Sequence, residues 1–414
     1  MTTEALAGAD SFADLGVTDD LVSALTARGI TAPFEIQTLT IPDGLAGRDV
    51  CGKAQTGSGK TLAFGIPLVS RTGTGGSKRP TGLVLVPTRE LALQVTEELS
   101  ALAKGRGHRL LTIYGGAPMH EQISALERGV EVIVATPGRL IDLADRKKVF
   151  LENVSCVVID EADQMADMGF LPQVHAVMRL IGGNHQTMLF SATLDGAVSS
   201  LVNSYLADPV RYEAATANEV VDTQEHRFIQ VHHMDKAKVV AAIAGSVGRV
   251  LVFVGTKRNA DKVAGELRDE GVRAEAIHGD RRQEHRERAL EHFADGKKPV
   301  LVATNVAARG LHIDDVDVVV HYDPPQDYKS FVHRSGRTAR AGEEGLVVTL
   351  VEWDQIEEVQ RLQRASGLHY EIVKMYSNDE RLKNLLDLEP ETVEMKITSD
   401  VDISRRFRSR KRRR

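Results

Sequence analysis

The sequence predicts an α/β fold of two tandem domains, each a mostly parallel sheet between helices, followed by a basic C-terminal tail. Three observations carry the prediction. Twelve short β-branched runs recur along the chain with helical stretches between them. The runs are apolar at consecutive residues rather than alternating, the pattern of strands covered on both faces. The chain has 414 residues, 42% of them hydrophobic, which is core enough for two domains.

In order, the first-half runs are residues 49–51, 83–86, 110–113, 132–135, 156–159 and 187–190. The second-half runs are 228–231, 250–254, 274–277, 300–303, 316–321 and 346–350. Intervals such as 89–104 and 259–270 carry helical periodicity, so each half reads as an α/β sandwich. After Asp208-Pro209 the chain loses apolar period and large side chains. The predicted division is a first domain at 1–210, a linker at 211–224, a second domain at 225–376 and an extension at 377–414. Residues 71–80 are Gly-rich and polar and read as a flexible surface connection.

Net charge is -6, yet the last ten residues, Arg405 to Arg414, hold eight basic side chains and no acid. An acidic body with a concentrated basic end suggests an arm for phosphate backbones, with a solvated end as the plain alternative. Cys51 and Cys156 sit inside strand-like runs without metal-ligand spacing, as buried thiols in a reducing compartment do. No stretch reaches the roughly 18 apolar residues of a membrane helix, and the N-terminus has no basic start followed by an apolar stretch. The expectation is a soluble, cytoplasmic protein with no membrane contact.

The run Ala54-Gln55-Thr56-Gly57-Ser58-Gly59-Lys60-Thr61 follows a predicted strand and precedes a helical stretch. That is the context of a phosphate-binding loop. Glycines let backbone N–H groups turn in around phosphates, Lys60 brings charge to the outer phosphates, and the Thr61 hydroxyl suits magnesium. The helix N-terminus adds a favourable dipole. Ala54 stands where the simple pattern has Gly. The run 157–159 ends in Asp160-Glu161-Ala162-Asp163. Asp160 fits a second magnesium-holding group, and Glu161 is placed to orient or deprotonate a water. In the second half, His333-Arg334-Ser335-Gly336-Arg337-Thr338-Ala339-Arg340 puts Arg337 and Arg340 three apart, on one helix face. Such arginines stabilise charge in phosphoryl transfer, although an Arg-rich helix is equally a solvated face.

In these motifs the chain resembles a bacterial DEAD-box RNA helicase of superfamily 2, over residues 12–370. The resemblance implies two RecA-like domains, ATP and Mg2+ as cofactors, and RNA as partner, held by its backbone with little sequence choice. Phe12 and the run Gly29 to Gln37 resemble the Q motif: Gln37 would hydrogen-bond adenine and Phe12 would stack on it. Ala54 to Thr61 would hold the phosphates, with Gly310 of the fifth motif also at the nucleotide. Catalysis would rest on Lys60, Asp160, Glu161, His333, Arg337 and Arg340. Ser191 and Thr193 would couple hydrolysis to strand separation. The RNA-facing motifs supply Pro87, Thr88, Arg89, Gly115, Gly116, Thr136 and Arg139 in the first domain. In the second they supply Thr256, Arg286 and Thr304. Hydroxyls, tight turns and arginines at strand ends suit a sugar-phosphate backbone.

The fifth motif departs from the family. The family carries Asp after Thr and again after Arg-Gly-x, whereas this chain reads Thr304-Asn305 and Arg309-Gly310-Leu311-His312. Asn305 removes a negative charge near the cleft. His312 replaces a carboxylate that reaches the ribose in the family. Imidazole still offers one hydrogen bond, so the expectation is a weakened ribose contact with hydrolysis retained. Phe34 stands where the family often has Thr, read as a tolerated packing change.

The resemblance implies a cleft that closes on ATP and RNA together, bends the bound strand and opens a short duplex. Two alternatives remain beside it. One is a nucleotide-gated RNA clamp with little unwinding. The other is a DNA helicase of the same superfamily, against which the Q motif and the Asp-Glu-Ala-Asp run argue.

Overall fold

The computed structural model describes residues 11–54, 57–214, 224–308, 313, 316–338 and 345–385. The first domain holds β1 (Val50–Lys53), β2 (Gly82–Leu85), β3 (Leu110–Ile113), β4 (Val132–Ala135), β5 (Cys156–Ile159), β6 (Gln186–Ser191) and β7 (Val210–Glu213). The second holds β8 (Gln224–Gln230), β9 (Val250–Val254), β10 (Ala274–Ile277), β11 (Val300–Thr304), β12 (Val318–His321), β13 (Gly345–Val351) and β14 (Ile372–Lys374). The strand orders are β3-β4-β2-β5-β6-β1-β7 and β10-β11-β9-β12-β13-β8-β14. Adding seven to each strand of the first sheet gives the second. Every ladder is parallel.

Alternation within single strands explains the unbroken apolar runs. In β5, Val157 and Ile159 join the core on one face, while Cys156 and Val158 join the core on the other. In β9, Val250, Val252 and Val254 face one core and Leu251 and Phe253 the opposite one. Helices fill both faces, as right-handed crossovers between parallel strands require. Burial pushes the Cys156 thiol up to about 12, so it is an inert apolar filler.

All twelve predicted strands are present, and two more appear, β7 and β14. Both are edge strands. β7 alternates between half-buried and exposed residues, and no residue of β14 is buried. A strand covered on one side and short needs no continuous apolar run, which is why neither is legible in the sequence. β7 corrects the start of the expected linker. Residues 211–213 pair with β1, and Ala214 is buried in the first core. Residues 215–223 lie outside the described residues. Beyond 376, Leu382 and Leu385 pack into the second core, and Arg227 Nε donates to the Leu385 carbonyl at 3.1 Å. The tail from 386 onward lies outside the described residues. Among those described, no helix is long and apolar enough to cross a membrane.

Candidate active site and nucleic-acid interface

The chemistry gathers at the carboxyl ends of three adjacent strands, β5, β6 and β1. The phosphate-binding loop leaves β1, the Asp160 run leaves β5, and Ser191 ends β6 between them, its carbonyl accepting the Ala54 N–H at 3.0 Å. In open parallel sheets this is where ligands bind. Gly57 and Gly59 adopt φ of 89° and 84°, the left-handed region that glycine enters without strain. Gly59 caps the helix Lys60–Arg71, so this helix points its N-terminus into the loop. Gln55 and Thr56 lie outside the described residues. Ser58 and Thr61 are half-buried.

Lys60 is 5% exposed, and its Nζ donates to Glu161 Oε1 at 2.8 Å. Burial works to lower its pKa, but the carboxylates of Glu161 and Asp160 outweigh burial and hold it above the ordinary ammonium value. Glu161 sits at φ 49°, ψ 48°, a left-handed conformation for a residue with a side chain, between β5 and the helix Ala162–Asp167. Such strain collects at functional sites. Here it sets the carboxylate between Lys60 and Gln164, whose Nε2 donates to Glu161 Oε2 at 3.1 Å. Asp160 Oδ1 accepts the Glu161 N–H at 2.9 Å. Burial raises its pKa to about 7, with Lys60 pulling it back.

Asp163 links this acid cluster to both coupling residues. Its N–H donates to Ser191 Oγ at 3.2 Å, and its Oδ2 accepts from the Thr193 N–H and hydroxyl, each at 3.2 Å. From the second domain, His333 Nε2 approaches the same Oδ2 to 3.7 Å. His333 therefore meets Asp163. Arg337 is buried and lines a small cavity with Asn305, His333 and Arg334. Arg334 Nε donates to Asn305 Oδ1 at 2.7 Å, so Asn305 keeps the hydrogen bond while losing the charge. Gly310, His312 and Arg340 lie outside the described residues.

Two residues at the nucleoside end differ from expectation. Phe12 is 1% exposed and packs with Leu15, Val17 and Leu21 in the first core, so it presents no free face to a base. Gln37 is also buried. Its Oε1 accepts the Phe34 N–H at 2.9 Å, and its Nε2 donates to the Gly59 carbonyl at 2.9 Å. Gln37 thus ties the start of the helix Glu35–Leu45 to the phosphate loop.

The expected RNA residues fall into two groups. Pro87, Thr88, Arg89, Gly115, Thr136, Arg139 and Arg286 line one cavity of about 370 Å³ that both domains enclose. Gly116, Thr256 and Thr304 are not part of that lining. Thr88 Oγ1 accepts the Leu91 N–H, and Thr256 Oγ1 accepts the Asn259 N–H. Each caps the helix after an equivalent strand, β2 or β9, and keeps its hydroxyl hydrogen as a donor. Arg89 Nη1 lies on Gly116, where a Cβ would come within 2.6 Å.

Two arginines are turned to protein instead of open space. Arg139 Nη1 donates to the Ala117 carbonyl at 3.1 Å and so braces the Gly115-Gly116 turn. Arg286 Nη1 lies 2.8 Å from Glu90 Oε1 across the cleft. The sequence marks arginines as phosphate partners but carries no sign of which backbone carbonyl or distant carboxylate will claim them. Asp163 and Glu90 likewise make contacts that residue type alone did not single out.

Fold and contacts define a two-domain P-loop nucleoside-triphosphatase whose site is assembled from both halves. Residues 34–201 match the DEAD/DEAH box helicase family, and residues 235–342 match the helicase conserved C-terminal domain. The chain is 37% identical over 392 residues to the DEAD-box ATP-dependent RNA helicase CshA of Bacillus thuringiensis, covering 94% of this chain and 74% of that protein. It is 40% identical over 343 residues to CshA of Bacillus subtilis, covering 82% and 69%. Among solved structures it is similar to S. cerevisiae Dbp5 bound to RNA and ADP BeF3, with TM-score 0.78, 30% identity, and coverage of 90% and 97%. A DEAD box protein from Methanococcus jannaschii gives TM-score 0.50 at 32% identity, covering 88% of this chain and 99% of that one. The chain belongs to the DEAD-box ATP-dependent RNA helicases.

Proposed function

We propose that this protein is an ATP-dependent RNA helicase that couples ATP binding and hydrolysis to RNA binding and local duplex opening. The contact that carries the reading is His333 on Asp163, which joins the second domain to the acid cluster beside Lys60. The likeness over most of the chain to a yeast structure bound to RNA and ADP BeF3 supports the reading.

In this reading ATP places its phosphates on the loop 54–61, and its outer phosphates draw Lys60 from Glu161. Freed of that ion pair, Glu161 is the base for the attacking water, and Gln164 holds its other oxygen. Arg337 and Arg340 enter from the second domain to neutralise charge on the γ-phosphate. His333 senses the same event through Asp163, which reports it to Ser191 and Thr193. Magnesium suits the donor set of one carboxylate, Asp160, and one hydroxyl, Thr61, because it takes few protein oxygens and completes its shell with phosphate and water. When bound it neutralises phosphate charge.

RNA would run through the cavity lined by Thr88, Arg89, Gly115 and Thr136, with helix N-termini and hydroxyls as backbone donors. The basic tail Arg405–Arg414 adds non-specific affinity. The strand pairing supports a first domain ending at Ala214 and a second opening at Gln224. A cytoplasmic location accords with the buried free thiols. The deciding experiment measures ATP hydrolysis with and without RNA, alongside unwinding of a short RNA duplex. RNA stimulation with strand release is expected. Stimulation by DNA alone, or hydrolysis without strand release, would overturn the reading.

A further inference from the structure

Three adjacent strands of the second sheet, β13, β8 and β14, end at one level: Val351 pairs with Gln230, and Gln230 with Lys374. The turns that follow carry Trp353, Met234 and Tyr376. Trp353 and Met234 are the two most exposed large apolar side chains among the described residues, at 76% and 74%. The turns are tied to one another. Lys236 Nζ donates to Glu352 Oε1 at 3.2 Å, and Asp235 accepts from the Ser377 N–H and hydroxyl, each at 3.3 Å. The apolar side chains are therefore gathered at one corner of the domain, where scattered single residues would need no explanation.

Beside this corner lies a cavity of about 330 Å³, lined by Gln230, Ile356, Gln360, Gln363, Tyr370 and Ile372. It lies between the helix Ile356–Ala365 and the start of β14, and it shares no residue with the cavity proposed for RNA. Gln363 is buried. Its Oε1 accepts the Tyr370 N–H at 2.8 Å, but its Nε2 has no acceptor. An unmet buried donor is costly, and one on a cavity wall is relieved when an acceptor enters.

The neighbouring strand has unmet groups as well. β14 closes the sheet, and among the described residues no strand pairs with its outer side. The Met375 N–H donates inward to the Gln230 carbonyl. Backbone groups alternate in direction along a strand, so Ile372 and Lys374 turn theirs outward. Lys374, a charge of the kind that blunts sheet edges, bends its ammonium over the Tyr376 ring at 5.3 Å. Charge at the corner is negative. Residues 351–360 hold four carboxylates and no basic side chain, and Glu371 also lines the cavity. A nucleic-acid backbone is repelled there and a cationic chain attracted.

We infer that the outer edge of β14 and the adjoining cavity form a docking site for an extended, basic segment of a partner protein, which adds a strand to the second sheet and seats one large side chain in the cavity. An extended chain brings carbonyl oxygens to the outward N–H groups of β14 and to Gln363. Its alternate side chains fall on the face where the cavity opens. Trp353 and Met234 supply the apolar rim.

The probe is a displayed library of random linear peptides, selected against the whole protein. Selected peptides should carry Lys or Arg beside a large apolar side chain. They should shift the fluorescence of Trp353, the single tryptophan of the chain, and slow amide exchange at Ile372 and Lys374. Two variants test the site. Lys374→Pro removes one outward N–H and leaves the ladder to β8 in place. Gln360→Trp fills the cavity from an exposed position. Each should weaken peptide binding about tenfold, the scale of one lost hydrogen bond or one excluded anchor. RNA-stimulated ATP hydrolysis should stay as in the parent. Failure to select any peptide, selection of acidic peptides, or peptides that bind both variants as tightly as the parent overturns the inference. So does binding that appears only after residues 386–414 are removed, which makes this chain's own tail the occupant. Sedimentation showing that two copies pair through this edge would overturn it too.

Discussion

Arg286, on the helix Gln283–Ala294 of the second domain, sets its guanidinium 2.8 Å from the Glu90 carboxylate at the start of the helix Arg89–Gly105 of the first. Both side chains are less than a tenth exposed. The two charges are close but poorly aligned for a hydrogen bond, since Glu90 Oε1 and Arg286 Nε have no hydrogen-bond partner in the structure. Burial therefore lowers the Arg286 pKa, with Glu90 working against it. The pair exists only when the domains meet, and it sits at the rim of the proposed RNA channel.

Removing one member should weaken closure rather than folding, because each charge is solvated when the domains part. Glu90→Gln is expected to raise the RNA concentration for half-maximal ATPase about tenfold, as an unpartnered buried arginine disfavours the closed form. Melting temperature should barely change. The swap Glu90→Arg with Arg286→Glu should recover part of the deficit, and a swap no better than either single variant would refute the pairing.

Glu161→Gln keeps the size and one hydrogen-bond acceptor but removes the base. ATP binding should survive, since Lys60 is freed from its ion pair. Single-turnover hydrolysis should fall by at least about 100-fold, the lower end for loss of a positioned general base. A normal hydrolysis rate would take the assigned role from Glu161.

The burial of Asp160 makes a pH prediction for the nucleotide-free protein. Its folded pKa, near 7, lies above the ordinary 3.8. The folded state then holds a proton that the unfolded state has released, so stability is full below about pH 4 and declines as pH rises toward 7. Asp160→Asn removes that decline. It should melt above the parent at pH 8 and match it near pH 4. Calorimetry at the two pH values decides. Added ATP and magnesium should erase the parent's deficit by giving the carboxylate a cation.

Deleting residues 405–414 should weaken RNA binding most at low salt. Plotted against log salt, the slope of log affinity should become shallower by about 0.7 for each phosphate that the tail neutralises. ATP binding should stay as it was. An unchanged slope would show that the tail does not touch RNA.

The sequence exposed the buried parts of this molecule and hid the half-covered ones. β5 and β9 were legible because both faces demand apolar residues. β7 and β14 were not, because an edge strand with Arg211 and Glu213 in water looks like any polar segment. The same limit governs the site. Lys60 and Glu161 announce themselves by spacing and meet at 2.8 Å. Phe12 and Phe34 are identical in type, and the sequence assigned stacking to the first. The core took Phe12, and the surface beside Gly59 kept Phe34. Which way an aromatic ring faces depends on packing that no local pattern records.

The shared strand order of the two sheets invites a comparison of Lys60 with Lys236. Each opens the helix after the equivalent strand, β1 or β8, and each is buried. Lys60 meets Glu161 after β5, while Lys236 meets Asp323 after β12, at 3.4 Å, and Glu352 after β13, at 3.2 Å. Yet the turn before Lys236 reads His232-His233-Met234-Asp235, with no glycine to cradle a phosphate, and Tyr322 covers its ammonium. Lys60 thus faces the phosphate loop, whereas Lys236 is held as a structural strut. The pseudo-symmetry therefore stops short of a second ATP, and the chain should bind one nucleotide per molecule.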